Sequence, residues 1–234
     1  MQKFEGEIRG IFFDLGWTLV YPSTGHWLYA PRAKELLTAA LGDVSAAWET
    51  LERHWKDIQD ENHLWLSEAQ EWQAYHELYV RTSASLGLSW DAATLRAVTD
   101  EQVFCDGDYY KVYDGVHDLL ARLAARYHIG VISDTAPAIG RRLHVLGLMP
   151  YFSSFTGSYF LNARKPDPLL FRHALLASGL RGETCVFVDD LAKNLDAAAK
   201  FGIQGAQICT GPHVVPSETH RKLFDIREIE TLLP

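Results

Sequence analysis

Apolar residues recur along this chain with two different periods, and the switch between them predicts the architecture. Residues 9–14 ("RGIFFD") form a short apolar run that leads into a Gly-containing turn, as a buried strand does. From about 26 to 104 the period is helical. Trp48, Leu51, Trp55 and Ile58 recur three or four apart, and so do Trp72, Tyr75 and Tyr79. Six of the seven tryptophans fall in this block, so it is read as a helical unit with an aromatic core of its own. Asp106-Gly107-Asp108 reads as a turn or linker. Beyond it helix and strand patterns alternate. Asp114 is placed to cap a helix that carries Val116, Leu119, Leu120 and Leu123 on one face. A strand follows at 128–133, a helix near 137–146, a strand around 153–157 and a helix from about 167 to 178. "TCVFVDD" (184–190) is a further strand, then comes a helix with Ala197, Ala198 and Ala199 that Gly202 stops, then a strand at 205–209. Strands alternating with helices imply an α/β fold with a doubly wound parallel sheet. No internal repeat or low-complexity segment interrupts the pattern.

Composition narrows the function classes. A chain of 234 residues can bury a substantial core in one or two domains, and 47% hydrophobic with 22% charged residues is ordinary for a globular protein. A net charge of −8 argues against a general nucleic-acid binder, which needs basic patches to displace counterions. No apolar run is long enough to span a bilayer, and the first seven residues, Met1 to Glu7, lack a signal-peptide core. The three cysteines, Cys105, Cys185 and Cys209, read as reduced thiols, two of them inside strands. A cytoplasmic protein with no membrane partner is the expectation.

The strand ends carry the chemistry, since ligands of such sheets bind beyond the carboxyl ends of the strands. Those ends hold Asp14, Ser133-Asp134 and Asp189-Asp190, and Lys165-Pro166-Asp167-Pro168 opens a helix between the last two. Four carboxylates against Lys165 leave about −3 in one crevice, which is costly at low dielectric. A phosphate dianion would not enter such a site unaided. Hard oxygen ligands favour magnesium, which neutralises the excess and bridges protein to phosphate. Magnesium is therefore the expected cofactor.

With these residues in view, the chain resembles the haloacid dehalogenase-like hydrolases over essentially its whole length. "FFDLGWTLV" is similar to the first motif of that family, with Asp14 as nucleophile and Thr18 and Leu19 in their usual places. "VISDT" resembles the second motif, with Ser133 bonding the phosphoryl oxygen, and "RKPDPLLF" the third, with Lys165 neutralising nucleophile and phosphate. "VFVDDLAKN" resembles the fourth, with Asp190 as metal ligand, Asp189 beside it and Asn194 four residues on. The helical block matches the cap of the family's subclass I. The resemblance implies a discontinuous Rossmann-like core over 1–20 and 109–234, and a cap over 21–108. It also implies a magnesium-dependent phosphatase for a small phosphorylated substrate, with Asp14, Asp189, Asp190 and the carbonyl of Gly16 around the metal. Thr18, Ser133, Asp134 and Lys165 are the expected substrate contacts. His26, just after the first motif, is a further substrate contact or else packs at a helix start.

Position 16 departs from the family pattern. The residue two after the nucleophile normally supplies a backbone carbonyl to the metal and a carboxylate that protonates the leaving group and then activates water. Glycine does only the first. General acid–base catalysis contributes ~10²–10⁴-fold, so the loss is bounded. Asp134, where the family has Asn or Gly, is a candidate replacement for that carboxylate; the plainer reading is that it caps the helix beginning near Pro137. A non-catalytic binding protein on the same fold is the main alternative. A metal-free carbon–halogen dehalogenase also lacks the second aspartate, but the Asp189-Asp190 pair argues against it. A phosphonate-cleaving branch would need a cap lysine, and neither Lys34 nor Lys56 has a suitable context. A phospho-receiver domain has its residues in a different order.

Overall fold

The computed structural model describes residues 3–61, 65–104 and 106–234; Cys105 lies outside them, and so does any reading of its thiol. Chain contacts separate two compact units, one of residues 1–21, 112–135 and 147–234, the other of residues 22–111 and 136–146. The first holds a six-stranded parallel sheet. Its strands are β1 (Gly10–Phe13), β4 (His128–Ser133), β5 (Ser154–Gly157), β6 (Cys185–Asp189), β7 (Gln204–Ile208) and β8 (Arg221–Leu223), in the order β5-β4-β1-β6-β7-β8. Two short strands, β2 (Val20–Pro22) and β3 (Tyr110–Val112), pair separately. β1 and β6 are buried throughout, which is why their sequences are continuously apolar instead of alternating. β8, three residues at the sheet edge, carries too little pattern to be read from sequence.

Helices α6 (Val116–Ala124), α8 (Ser158–Leu161), α9 (Pro168–Ser178), α10 (Ala192–Ala199) and α11 (Ile229–Leu232) belong to this unit. Leu170, Phe171 and Ala174 of α9 and Leu195 and Ala198 of α10 pack with Phe12, Ile132 and Phe187 in one core. α6 buries Val116, Leu119, Leu120 and Leu123 as its spacing predicts. Its N-cap is Gly115 in the left-handed conformation (φ 78°), so Asp114 does not cap it. α10 ends at Ala199, and Gly202 takes its left-handed turn (φ 80°) just beyond.

The second unit contains α1 (Pro31–Leu41), α2 (Trp48–Glu61), α3 (Glu68–Ser85), α4 (Ala92–Phe104), α5 (Asp106–Tyr109) and α7 (Ile139–Val145). Leu51 and Ile58 of α2, Tyr75, Leu78 and Tyr79 of α3, and Val98 and Val103 of α4 form its core, with Trp55, Trp72 and Trp90 partly buried against them. Residues 106–109, expected as a linker, make a short helix. Residues 136–146 differ from the expected core of 109–234, because they cluster with the helical unit. A buried ion pair ties them to it. The Arg142 Nη2 donates to Glu71 Oε1 at 2.8 Å, the Glu71 Oε2 accepts the Ala138 N–H at 2.8 Å, and both side chains are buried. Among the described residues no helix is long and apolar enough to cross a membrane.

Candidate active site

Sheet order brings the predicted chemistry together. β1 lies between β4 and β6, so the three strand ends with polar residues are neighbours. Phe13 pairs with Val131 on one side and Val188 on the other, and Asp14 continues that ladder by donating its N–H to the Val188 carbonyl at 2.9 Å. Asp14 is thus level with Ile132 and with Asp189, and Ser133 ends β4 one step beyond. Strand termination leaves each side chain outside the hydrophobic run while still buried: Asp14, Ser133, Asp189 and Asp190 are all shielded from solvent.

Lys165 reaches this point from the loop before α9. Its ammonium donates to Asp14 Oδ1 at 2.7 Å and to Asp189 Oδ2 at 2.6 Å. Its backbone N–H donates to Asp134 Oδ1 at 3.0 Å. Burial alone would lower the Lys165 pKa, but Asp14, Asp189 and Asp134 reverse that and hold it above the ordinary lysine value. Asp189 is fully engaged, since its Oδ1 accepts the Leu191 N–H at 2.8 Å and the Asn194 amide at 2.9 Å. Ser133 is buried at the end of β4, on the strand beside Asp14.

Asp14, Asp189 and Asp190 each place an oxygen within 4.8 Å of the others. The crowding is visible in their proton affinities. Burial, then the charge of Asp189, raises Asp14 from 3.8 to about 6 against the opposing pull of Lys165. Burial, then Asp14 and Asp189, raises Asp190 from 3.8 to about 8. One ammonium is too little positive charge for three buried carboxylates, and an all-oxygen donor set of this kind suits a hard divalent cation.

The remaining predicted residues divide. Asp134 does not cap a helix: α7 starts at Ile139 with Ala138 as N-cap and no side-chain cap bond. It keeps solvent-exposed surface, yet the protein around its carboxyl raises its pKa by desolvation, with Lys165 opposing. The exposure limits that rise. Thr18 is buried with no hydrogen-bond partner for its hydroxyl among the described residues. It lines a cavity with Tyr21, Tyr113, Thr210, Phe224 and Arg227. His26 lies in the helical unit, stacked on Tyr29 with ring centres 5.0 Å apart and near Trp48 at 5.8 Å. Its Nδ1 accepts the Leu28 N–H at 3.1 Å and its Nε2 is 3.5 Å from Glu52, so both nitrogens are engaged within that unit.

Sequence reading passed over His213. Its Nε2 lies 2.7 Å from Asp190 Oδ2. It follows the predicted strand at 205–209, and the same strand-end rule that selected the aspartates would have flagged it.

Comparisons with known proteins bear on the family and the fold. A family model described as haloacid dehalogenase-like hydrolase matches residues 8–202. The 6-phosphogluconate phosphatase of Escherichia coli (strain K12) is 33% identical over 73 residues, covering 30% of this chain and 33% of that protein. The 2-haloacid dehalogenase from Pseudomonas syringae pv. Tomato DC3000 superimposes with a TM-score of 0.64 at 20% identity, covering 96% of this chain and 97% of that one. The HAD family enzyme BT-2542 from Bacteroides thetaiotaomicron, wild type and in complex with magnesium and inorganic phosphate, gives 0.58 at 17% identity over 91% of this chain and 98% of that one. At these identities the structural likeness is one of fold.

Proposed function

The chain belongs to the haloacid dehalogenase-like hydrolases, and from that premise we propose that it is a magnesium-dependent phosphatase acting on a small phosphorylated metabolite. The observation that carries the reading is the buried group of Asp14, Asp189 and Asp190 around one lysine, with two of the carboxylates pushed toward neutrality. Asp14, Asp190 and the Gly16 carbonyl are the proposed ligands. Asp189, whose two oxygens accept three hydrogen bonds including one from the Lys165 ammonium, is proposed to aim Lys165 beside the metal as well as to offer it an oxygen. Bound there, magnesium supplies the positive charge that lets a phosphate dianion approach the carboxylates.

Asp14 attacks phosphorus, an aspartyl-phosphate forms as the bond to the leaving oxygen breaks, and water then hydrolyses it, returning the carboxylate. Lys165, 2.7 Å from Asp14 Oδ1, lowers the charge the nucleophile presents and is itself aimed by Asp189. Ser133, buried at the end of β4, is the proposed hydrogen-bond donor to a phosphoryl oxygen. Asp134 is the proposed proton carrier in place of the carboxylate that Gly16 lacks.

Hydrolysis of p-nitrophenyl phosphate with and without magnesium, beside Asp14→Asn, is the test. Turnover that requires magnesium and vanishes in the variant is expected. Gly16 motivates a second reading, a phosphate-binding protein without turnover, which a folded protein that binds magnesium yet releases no nitrophenol would favour. Metal-independent release of halide from a 2-haloacid would favour the dehalogenase reading instead.

A further inference from the structure

We propose that His213 is a positioning residue for the cation site, holding one oxygen of Asp190 so that the other alone is presented to the metal. The inference rests on the functional reading above and deepens it. With a cation bound Asp190 would be ionised and could only accept hydrogen bonds, so in that state the 2.7 Å contact requires the His213 Nε2 to carry the hydrogen and Asp190 Oδ2 to receive it. The Asp190 side chain is buried while the imidazole is half-exposed, so the histidine reaches in from the rim.

The loop that presents His213 is built for this contact. Gln207, buried at the end of β7, donates its amide to the Asp190 carbonyl at 2.9 Å and to the Val215 carbonyl at 3.0 Å. Its Oε1 accepts the Ser217 N–H at 2.6 Å. One side chain therefore ties the segment around His213 to the backbone of the residue that His213 contacts. A second tie runs to the other side of the site, where the Thr210 hydroxyl donates to the Trp17 carbonyl at 3.1 Å. Trp17 follows Gly16, the proposed carbonyl ligand. It holds a left-handed backbone (φ 57°), a conformation that a bulky side chain adopts only when its surroundings impose it. Its indole meets the imidazole edge-on, ring centres 5.6 Å apart. Gly211 completes the fit. A Cβ there would stand 3.1 Å from His213 Cε1, 3.1 Å from Val214 Cγ2 and 3.2 Å from Trp17 Cβ, so a larger residue would crowd the imidazole. Partners that orient a metal ligand in this way are worth ~10–100-fold in metal affinity.

Isothermal titration of magnesium into chelator-stripped protein tests the assignment, with wild type, His213→Ala, His213→Gln and Gly211→Ala compared. His213→Ala should bind magnesium ~10–100-fold more weakly, with the thermal midpoint of the metal-free protein unchanged. His213→Gln, whose amide N–H can replace Nε2–H, should recover most of the loss. Gly211→Ala, which crowds the imidazole without removing it, should lose affinity in the same direction. Affinity in His213→Ala within twofold of wild type would overturn the proposal and leave the phosphatase reading intact. Equal loss in the Ala and Gln variants would overturn it in favour of direct ligation by the ring. A wild-type protein that takes up no magnesium would sink the functional reading and this inference together.

Discussion

At position 16 the side chain that would carry a proton is absent, and Asp134 is the carboxyl proposed in its place. Its Oδ1 accepts the Lys165 N–H, among the described residues its other oxygen makes no hydrogen bond, and desolvation raises its pKa in the direction a general acid needs. Asp134→Asn should therefore slow hydrolysis of an alkyl phosphate by ~10²–10⁴-fold and leave p-nitrophenyl phosphate, whose leaving group needs little protonation, nearly untouched. Equal rates with wild type on both substrates would end the idea. Asp14, Ser133, Lys165, Asp189 and Asp190 were legible in sequence because each sits at a strand end or helix start with a recognisable spacing. The strand-end rule reaches as far as His213, but its pairing with Asp190 and the parts played by Trp17 and Gln207 were not legible. Their relevance comes from contacts between loops, such as the bond from Thr210 to Trp17 across 193 residues, and no local pattern encodes such a pairing.

Among the elements, α7 departs furthest from expectation. Its type and approximate extent follow from its period, but its allegiance does not. Arg142 is buried on Glu71, over the Tyr110 ring at 4.7 Å, and Arg141 reaches Glu68 at 3.1 Å. Breaking a buried ion pair by removing one partner strands the other charge and costs ~3–5 kcal/mol, while replacing both by apolar groups is often close to neutral. Arg142→Met alone should lose about that much stability in urea titration, and Glu71→Leu/Arg142→Met should lose less than the single variant. A loss below ~1 kcal/mol for Arg142→Met would show that the pair matters no more than an exposed one. The helix α6 teaches the same lesson on a smaller scale. Its apolar face was readable, but the choice between Asp114 and Gly115 as cap depended on a backbone angle that sequence does not display.

For the whole molecule, the acidic excess at the sheet ends makes metal binding and proton binding rivals. Asp14 and Asp190, raised from 3.8 to about 6 and about 8, favour the folded state most when protonated. That contribution is complete below the unfolded value and is lost as pH rises through about 6 and about 8. A cation replaces the lost protons. The rise in thermal midpoint that magnesium produces over chelator should therefore grow from pH 5 to pH 8 (both ~), and magnesium binding near neutral pH should release protons. A shift independent of pH would show that the carboxylates are already ionised without the metal. Sequence by itself determined five of the six strands of the main sheet, the helical character of the block from 26 to 104 and the order in which the aspartates, serine and lysine occur, because hydrophobic period and turn chemistry act over a few residues. The tertiary structure alone decided that β1 lies between β4 and β6, that residues 136–146 join the helical unit, and that His213 meets Asp190. Buried apolar strands are nearly interchangeable as partners, and an ion pair or hydrogen bond between distant residues leaves no periodic trace, so only the folded chain selects among them.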